Sequence, residues 1–392
     1  MTHVVLGDDS ARRLARESVQ RQWNGAQTPV RHIDPLLLLS ALVLSGVGLL
    51  FIYSATFHQL QATGADPLAF VTRQGISLAL GLAAMAAVAA FDYRLYRAWA
   101  PVAYLASLGL LLWVLAQGTV VNASKSWLEV GGLQLQPSEL AKPALIVMLA
   151  ALFHERREEA LGLRALLEAL ALAAVPMGLI LLQPDFGTFI VFCAITFGVL
   201  LLARVRVRFL VALVLLSLGA FGAVLQSGAL EDYQVARLTS FVNPEAADPD
   251  DVYNVNQAQI AIGAGQLVGQ GLFNGSQTTL SYVPENHTDF IFTVVGEETG
   301  FLGAALLLAA FAVLLWRALR IAALSRDTLG TLLAGGVIAV FGFQVFINIG
   351  MAIGIMPVTG LPLPFVSYGG TSLIGSWIMV GLLENVHMRR LS

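Results

Sequence analysis

Pro284-Glu285-Asn286-His287-Thr288-Asp289-Phe290-Ile291 closes a long polar stretch and runs straight into an apolar segment that ends near Trp316. An apolar run of that length is read as a membrane helix. Asp289 then stands where the helix begins, with Glu297 and Glu298 two turns deeper along it. An ionisable group costs roughly 2.5–3.5 kcal/mol at the centre of a membrane helix, so carboxylates there mark a working site. A carboxylate at the membrane surface, backed by more acid below, suits a proton acceptor for a lipid-borne substrate.

Working outward, the whole chain has the same character. Hydrophobic residues make up 57% and charged residues 12% of the 392, and the mean hydropathy is +0.75. Soluble domains carry about a quarter charged residues, so the composition specifies a polytopic membrane protein. The one cysteine, Cys193, lies within an apolar span, which excludes a disulfide framework or a thiolate metal site. The first 34 residues are polar and arginine-rich, without the apolar core of a signal peptide, and read as a cytoplasmic tail.

A window of about 19 residues marks ten spans, near 35–55, 74–91, 98–117, 138–153, 166–183, 186–203, 209–226, 288–316, 328–356 and 371–386. The expected fold is all-α and polytopic: one membrane domain, residues 35–392, with about ten transmembrane helices. With the N-terminus inside, every lysine and arginine except Arg73, Lys125, Lys142 and Arg237 falls on the cytoplasmic side. That asymmetry puts both termini in the cytoplasm. Residues 227–287 then form one large external loop between the seventh and eighth spans. Loops that long are functional or disordered. In this one, Asn256–Leu267 reads as a short helix with Ile260, Ile262 and Leu267 on one face, followed by Gly269, Gly271 and Gly275. Such a segment suits folding back onto the bundle, because irregular backbone near a membrane needs protein or water around it.

Four polar blocks converge on the external side: Gln136-Pro137-Ser138-Glu139-Leu140-Ala141-Lys142, Gln183-Pro184-Asp185-Phe186-Gly187-Thr188, the Asp289 segment, and Ser367-Tyr368-Gly369-Gly370-Thr371-Ser372. Glu139 and Lys142 are three apart and share a helix face. With Lys125-Ser126-Trp127-Leu128, Gly296-Glu297-Glu298 and Pro362-Leu363-Pro364, these blocks resemble the RodA/FtsW/SpoVE family over nearly the whole chain. The segment Gly354–Pro364 is most similar to the RodA branch, from whose shorter pattern the arginine-rich tail departs.

The resemblance implies a peptidoglycan glycosyltransferase of the bacterial cytoplasmic membrane. It polymerises lipid II on the external face during elongation and shape maintenance, and works with a class B penicillin-binding protein and other elongation-machinery membrane proteins. It places the family's essential aspartate on Asp289, and its buried acid and lysine on Glu139 and Lys142. The alternatives are a lipid II flippase, a division-branch polymerase and a non-catalytic scaffold; nothing points to nucleic acid. An inverting transfer needs a base for the acceptor hydroxyl, which is the role expected of Asp289. The pyrophosphate leaving group needs cations or N–H donors. Lys142, Arg73, Lys125 and Arg237 are the candidate cations, and Gly369 and Gly370 open the last helix to backbone contact. A divalent cation, Mg2+ or Mn2+, is a candidate to share that charge, although no His/Cys cluster requires one.

Each residue also has a plainer reading. Asp289 would cap its helix, Lys142 would form a structural pair with Glu139, and Asp185 would hold its turn. Adjacent on a helix, Glu297 and Glu298 point about 100° apart, so only one is expected toward the cavity, either as a structural group or as a tuner of Asp289.

Overall fold

The computed structural model describes residues 32–121, 124–130, 133–156, 162–227, 249–280 and 282–390; the N-terminal tail and Arg237 lie outside them. Each expected span falls on a helix: α1 (Pro35–Ala62), α2 (Ala69–Ala90), α3 (Tyr93–Gln117), α4 (Pro137–His154), α5 (Leu163–Leu181), α6 (Phe186–Leu202), α7 (Val207–Ser227), then α10 (Ile291–Ala323), α11 (Thr328–Ala352) and α12 (Gly370–Met388). The segment between α7 and α10 contributes α8 (Pro249–Ala264) and α9 (Ser276–Thr279). Six of these helices, α1, α2, α3, α5, α10 and α11, are individually long and apolar enough to cross a membrane. The chain is a multi-pass membrane protein.

Burial divides the bundle into a centre and a rim. Helix α11 is the axis: its inner residues, Leu332, Val337, Phe341 and Asn348 among them, are fully enclosed by α4, α6, α10 and α12. Helices α2 and α3 turn large apolar side chains outward, such as Ile76, Trp99, Leu105 and Trp113. Lipid tails are as apolar as leucine, so packing rather than hydrophobicity drives the helices together, and small residues set how close they come. Gly336 shows this on α11: a Cβ there would meet the Ile146 side chain of α4 at 2.6 Å.

Two features depart from an uninterrupted all-helical reading. Between α3 and α4, β1 (Thr119–Val121), β2 (Ser124–Val130) and β3 (Leu133–Leu135) form a three-stranded antiparallel sheet, with Leu128 opposite Leu135.

The second departure is a break in α10. Gly300 has φ 64° and ψ −162°, a region essentially restricted to glycine. Residues 291–298 are buried among protein, whereas Phe301, Leu302 and Leu306 face outward. The span therefore starts after the break. Residues 301–323, at about 1.5 Å each, cover roughly 34 Å, enough for a hydrocarbon core of ~30 Å. Asp289 thus heads a short interior helix and not the membrane-crossing one. The backbone groups freed at the break are met by the loop between α8 and α9. Gln270 and Gly271 N–H donate to the Glu297 and Glu298 carbonyls (3.0 Å each), and the Gln266 and Leu267 carbonyls accept from Phe301 and Leu302 N–H (2.9 and 3.1 Å). Gly269, at φ 83°, has no room for a Cβ, which would lie 2.1 Å from the Glu298 carbonyl oxygen. Irregular backbone at membrane depth is tolerated only when satisfied in this way.

Candidate active site

The N-terminal ends of α2, α4, α6, α10 and α12 surround a cleft of about 1140 Å³. That exceeds the 300–1,000 Å³ of an ordinary small-molecule pocket. Of the residues singled out in the sequence, Arg73, Glu139, Asp185, Asp289, Gly369 and Gly370 line it. Four polypeptide segments far apart in sequence meet here because each is a helix start or the turn before one.

Asp289 ends a compact turn. Glu285 adopts φ 52°, and its carbonyl accepts from Thr288 and Phe290 N–H (3.2 Å each). The N-cap of α10 is Phe290 and not Asp289. Its side chain is half-buried on the cleft wall, with Oδ2 against Gly360, where a Cβ would sit 3.5 Å away. Beside it, the Ser367 hydroxyl donates to the Thr288 carbonyl (2.6 Å) and accepts from Leu363 N–H (2.8 Å). Ser367 is therefore buried behind the wall as a brace. Tyr368 N–H holds the His287 carbonyl at 2.9 Å, and the His287 ring packs between Phe70 and Tyr368. That burial lowers its pKa below 6.5, against the opposing pull of Glu285.

The opposite wall is built from α4 and α6. Asp185 caps α6 through Thr188 N–H (3.0 Å) and accepts from the Gln136 amide (3.1 Å). Its turn-holding role is thus real, and it faces the cleft as well. Burial raises its pKa from the ordinary 3.8, with Lys142 pulling the other way. Lys142 itself is fully buried, its Nζ 2.6 Å from Glu139 Oε1. Glu139 touches the cleft while its lysine lies behind it.

Several expectations change. Lys142 is sequestered by Glu139, and Lys125 donates to the Ala116 carbonyl (3.1 Å) outside the cleft, so among the described residues Arg73 is the one Lys or Arg lining it. Neither Glu297 nor Glu298 lines the cleft, and both take structural roles, one of the two readings left open above. Glu297 accepts from Gln277 N–H (2.7 Å) and from the Thr278 N–H and hydroxyl (3.0 and 2.7 Å), fastening the start of α9. Glu298 accepts from the Ser54 hydroxyl (2.6 Å) and Phe273 N–H (3.2 Å). Adjacent residues do diverge around the helix, but both are taken up by the folded-back loop.

Two amides escaped the sequence reading. The buried Gln74 donates to the Ser367 carbonyl (3.1 Å) and accepts from Gly369 N–H (3.2 Å), holding the loop before α12. Asn348, fully buried on α11, donates to the Asp289 and Leu361 carbonyls (2.7 Å each). Their signal was available, since a lone amide in an apolar span must find partners across helices.

A family model described as "Cell cycle protein", covering FtsW, RodA and SpoVE, matches residues 35–391. The chain belongs to the FtsW/RodA/SpoVE family. Among its relatives in that family, the peptidoglycan glycosyltransferase MrdB of Escherichia coli K12 is 37% identical, the match covering 92% of this chain and 94% of MrdB. Stage V sporulation protein E of Bacillus subtilis is 36% identical over 90% of this chain and 96% of its own length. The structure aligns with a chain from a peptidoglycan synthase complex that coordinates polymerization and crosslinking, with TM-score 0.78 and 31% identity over 92% of this chain and 99% of that one. It also aligns with the rod shape determining protein RodA of Thermus thermophilus, with TM-score 0.68 and 30% identity over 92% and 98% of the two chains. These matches support the RodA branch within the FtsW/RodA/SpoVE family.

Proposed function

We propose that this chain is a peptidoglycan glycosyltransferase that polymerises lipid II into glycan strands on the external membrane face during cell-wall elongation. The observation that carries the reading is the position of Asp289, on the wall of a large cleft at the external end of a bundle whose relatives include named peptidoglycan glycosyltransferases. The Asp289 carboxylate takes the proton of the acceptor sugar's 4-hydroxyl as that oxygen attacks the donor's anomeric carbon. The carbon–oxygen bond to the lipid pyrophosphate breaks with inversion, and the proton leaves Asp289 for solvent.

The negative charge that develops on the pyrophosphate faces Arg73 and the first-turn amides of α12 at Gly370 and Thr371. The cleft is otherwise acidic, lined by Glu129, Glu139, Asp185, Glu285 and Asp289. That imbalance favours a divalent cation, Mg2+ or Mn2+, entering with the substrate, since Mg2+ takes one or two carboxylates and fills its shell with phosphate oxygens and water. The described residues offer no cluster of three or more His, Cys, Asp or Glu that would cage such an ion. Its contribution would be to neutralise leaving-group charge.

The proposed setting is the bacterial cytoplasmic membrane with both termini inside. The ends of α1, α10 and α12 opposite the cleft are polar: Asp34 pairs with Arg317, and Arg389 binds the Ala90 carbonyl (3.0 Å). The partner is a class B penicillin-binding protein, consistent with the synthase complex to which the fold aligns. Purified protein with that partner and labelled lipid II should yield long strands, and Asp289→Ala should lower the rate by at least roughly 100-fold. Near-normal strands from Asp289→Ala would overturn the assignment.

A further inference from the structure

The inner face of α11 carries an amide with no part in the chemistry described so far. Asn348 is fully enclosed, and both hydrogens of its Nδ2 are used: one on the Asp289 carbonyl and one on the Leu361 carbonyl, each at 2.7 Å. Leu361 follows Gly360, the residue against which the Asp289 carboxylate rests. One side chain therefore holds both the residue that bears the carboxylate and the strip of backbone that the carboxylate leans on. The two carbonyls belong to segments far apart in sequence, and the amide bridges them from the most deeply packed helix of the bundle.

The other half of the same amide makes the arrangement informative. Asn348 Oδ1 is buried with no hydrogen-bond partner among the described residues. An orphaned buried acceptor is destabilising, so the amide sits here at a cost that the two bonds from its Nδ2 offset. The two carbonyls, each 2.7 Å away, need donors, and asparagine is the smallest side chain that presents two hydrogens from one nitrogen. An aspartate in its place would present only acceptor oxygens when ionised, so charge without donors cannot substitute.

We infer that Asn348 is a positioning residue for the transfer reaction: by tying the Asp289 and Leu361 carbonyls together, it fixes the height and direction of the Asp289 carboxylate on the cleft wall. This inference rests on the role proposed for Asp289. Asn348 never meets substrate; it acts through the peptide group of Asp289. Displacement of a reacting group by about 1 Å can cost 100-fold in rate, and losing the bridge frees the turn 285–290 on one side.

The test is steady-state synthesis from labelled lipid II by the purified protein with its penicillin-binding partner, comparing wild type, Asn348→Leu, Asn348→Asp, Asp289→Ala and the Asp289→Ala/Asn348→Leu double variant. Asn348→Leu keeps the shape and removes the donors. It should lower kcat by roughly 10- to 100-fold while KM stays within about twofold, and it should shift the acid limb of the pH–rate profile, because the carboxylate's surroundings change. Asn348→Asp should lose at least as much. The double variant should be no slower than Asp289→Ala. Equal kcat and an unmoved acid limb in Asn348→Leu, with Asp289→Ala inactive, would overturn the positioning role and leave the proposed base intact. A loss that vanishes once rates are normalised to the fraction of folded protein, measured by lipid II binding, would overturn it too. Activity in Asp289→Ala would instead remove the reading beneath it.

Discussion

Lys142→Met removes a buried ammonium and leaves its counter-ion behind. The pair is 2.6 Å apart with side-chain exposures of 0% and 3%, so the cost follows from geometry. At an effective dielectric constant near 20, the attraction at that distance is about 6 kcal/mol. Desolvating the two ions costs several kcal/mol each, so the intact pair nets little. With the lysine gone the desolvated Glu139 carboxylate is uncompensated, and breaking a buried pair in this way costs about 3–5 kcal/mol. Removing both charges with Glu139→Gln and Lys142→Met should bring stability back to within about 1 kcal/mol of wild type. The assay is equilibrium unfolding in mixed detergent micelles, run beside strand synthesis for all four proteins of the cycle. A single Lys142→Met variant as stable as wild type, or a double variant no better than the single, would refute the reasoning. If the double variant recovers its stability without regaining synthesis, the pair serves the cleft as well as the fold.

Gly300→Ala should destabilise the external loop by at least ~2 kcal/mol, because a Cβ there would lie 2.4 Å from Gly269 N and 2.7 Å from Gly265 O at φ 64°; faster proteolysis within residues 265–280 would register it, and an unchanged digestion pattern would count against the splice. His287, whose pKa is lowered by burial, takes up a proton less readily when folded than when unfolded. Stability should therefore fall as pH drops below 6.5, the unfolded value. His287→Gln should flatten that dependence, and equal slopes of melting temperature against pH in the two proteins would contradict it.

The helix positions were legible because an apolar run of about 19 residues has few alternatives in lipid. The cleft was legible in part for a related reason: Glu139, Asp185 and Asp289 are polar groups at the heads of apolar segments. The break at Gly300 was not, since hydropathy averaged over a window is blind to a single dihedral; the only trace was Glu297-Glu298-Thr299-Gly300 interrupting the run. One of the two glutamates was expected toward the cavity because the spacing gives direction around a helix but not what packs there, and the loop at 265–280 reaches both from another part of the chain. The sheet was missed because strands of three to seven residues leave little periodicity to read. Asn348 and Gln74 were passed over because their partners are main-chain carbonyls and an amide, which no side-chain motif announces.

The spliced break has a mechanical consequence. Residues 291–299 behave as a short stiff rod with Asp289 at one tip and the loop's glycines locked to the other. A tug on residues 266–271 is delivered along that rod to the carboxylate, because the main-chain links at its far end leave little slack. The loop and the helix that follows Asp289 are thus joined as one unit through their main chains.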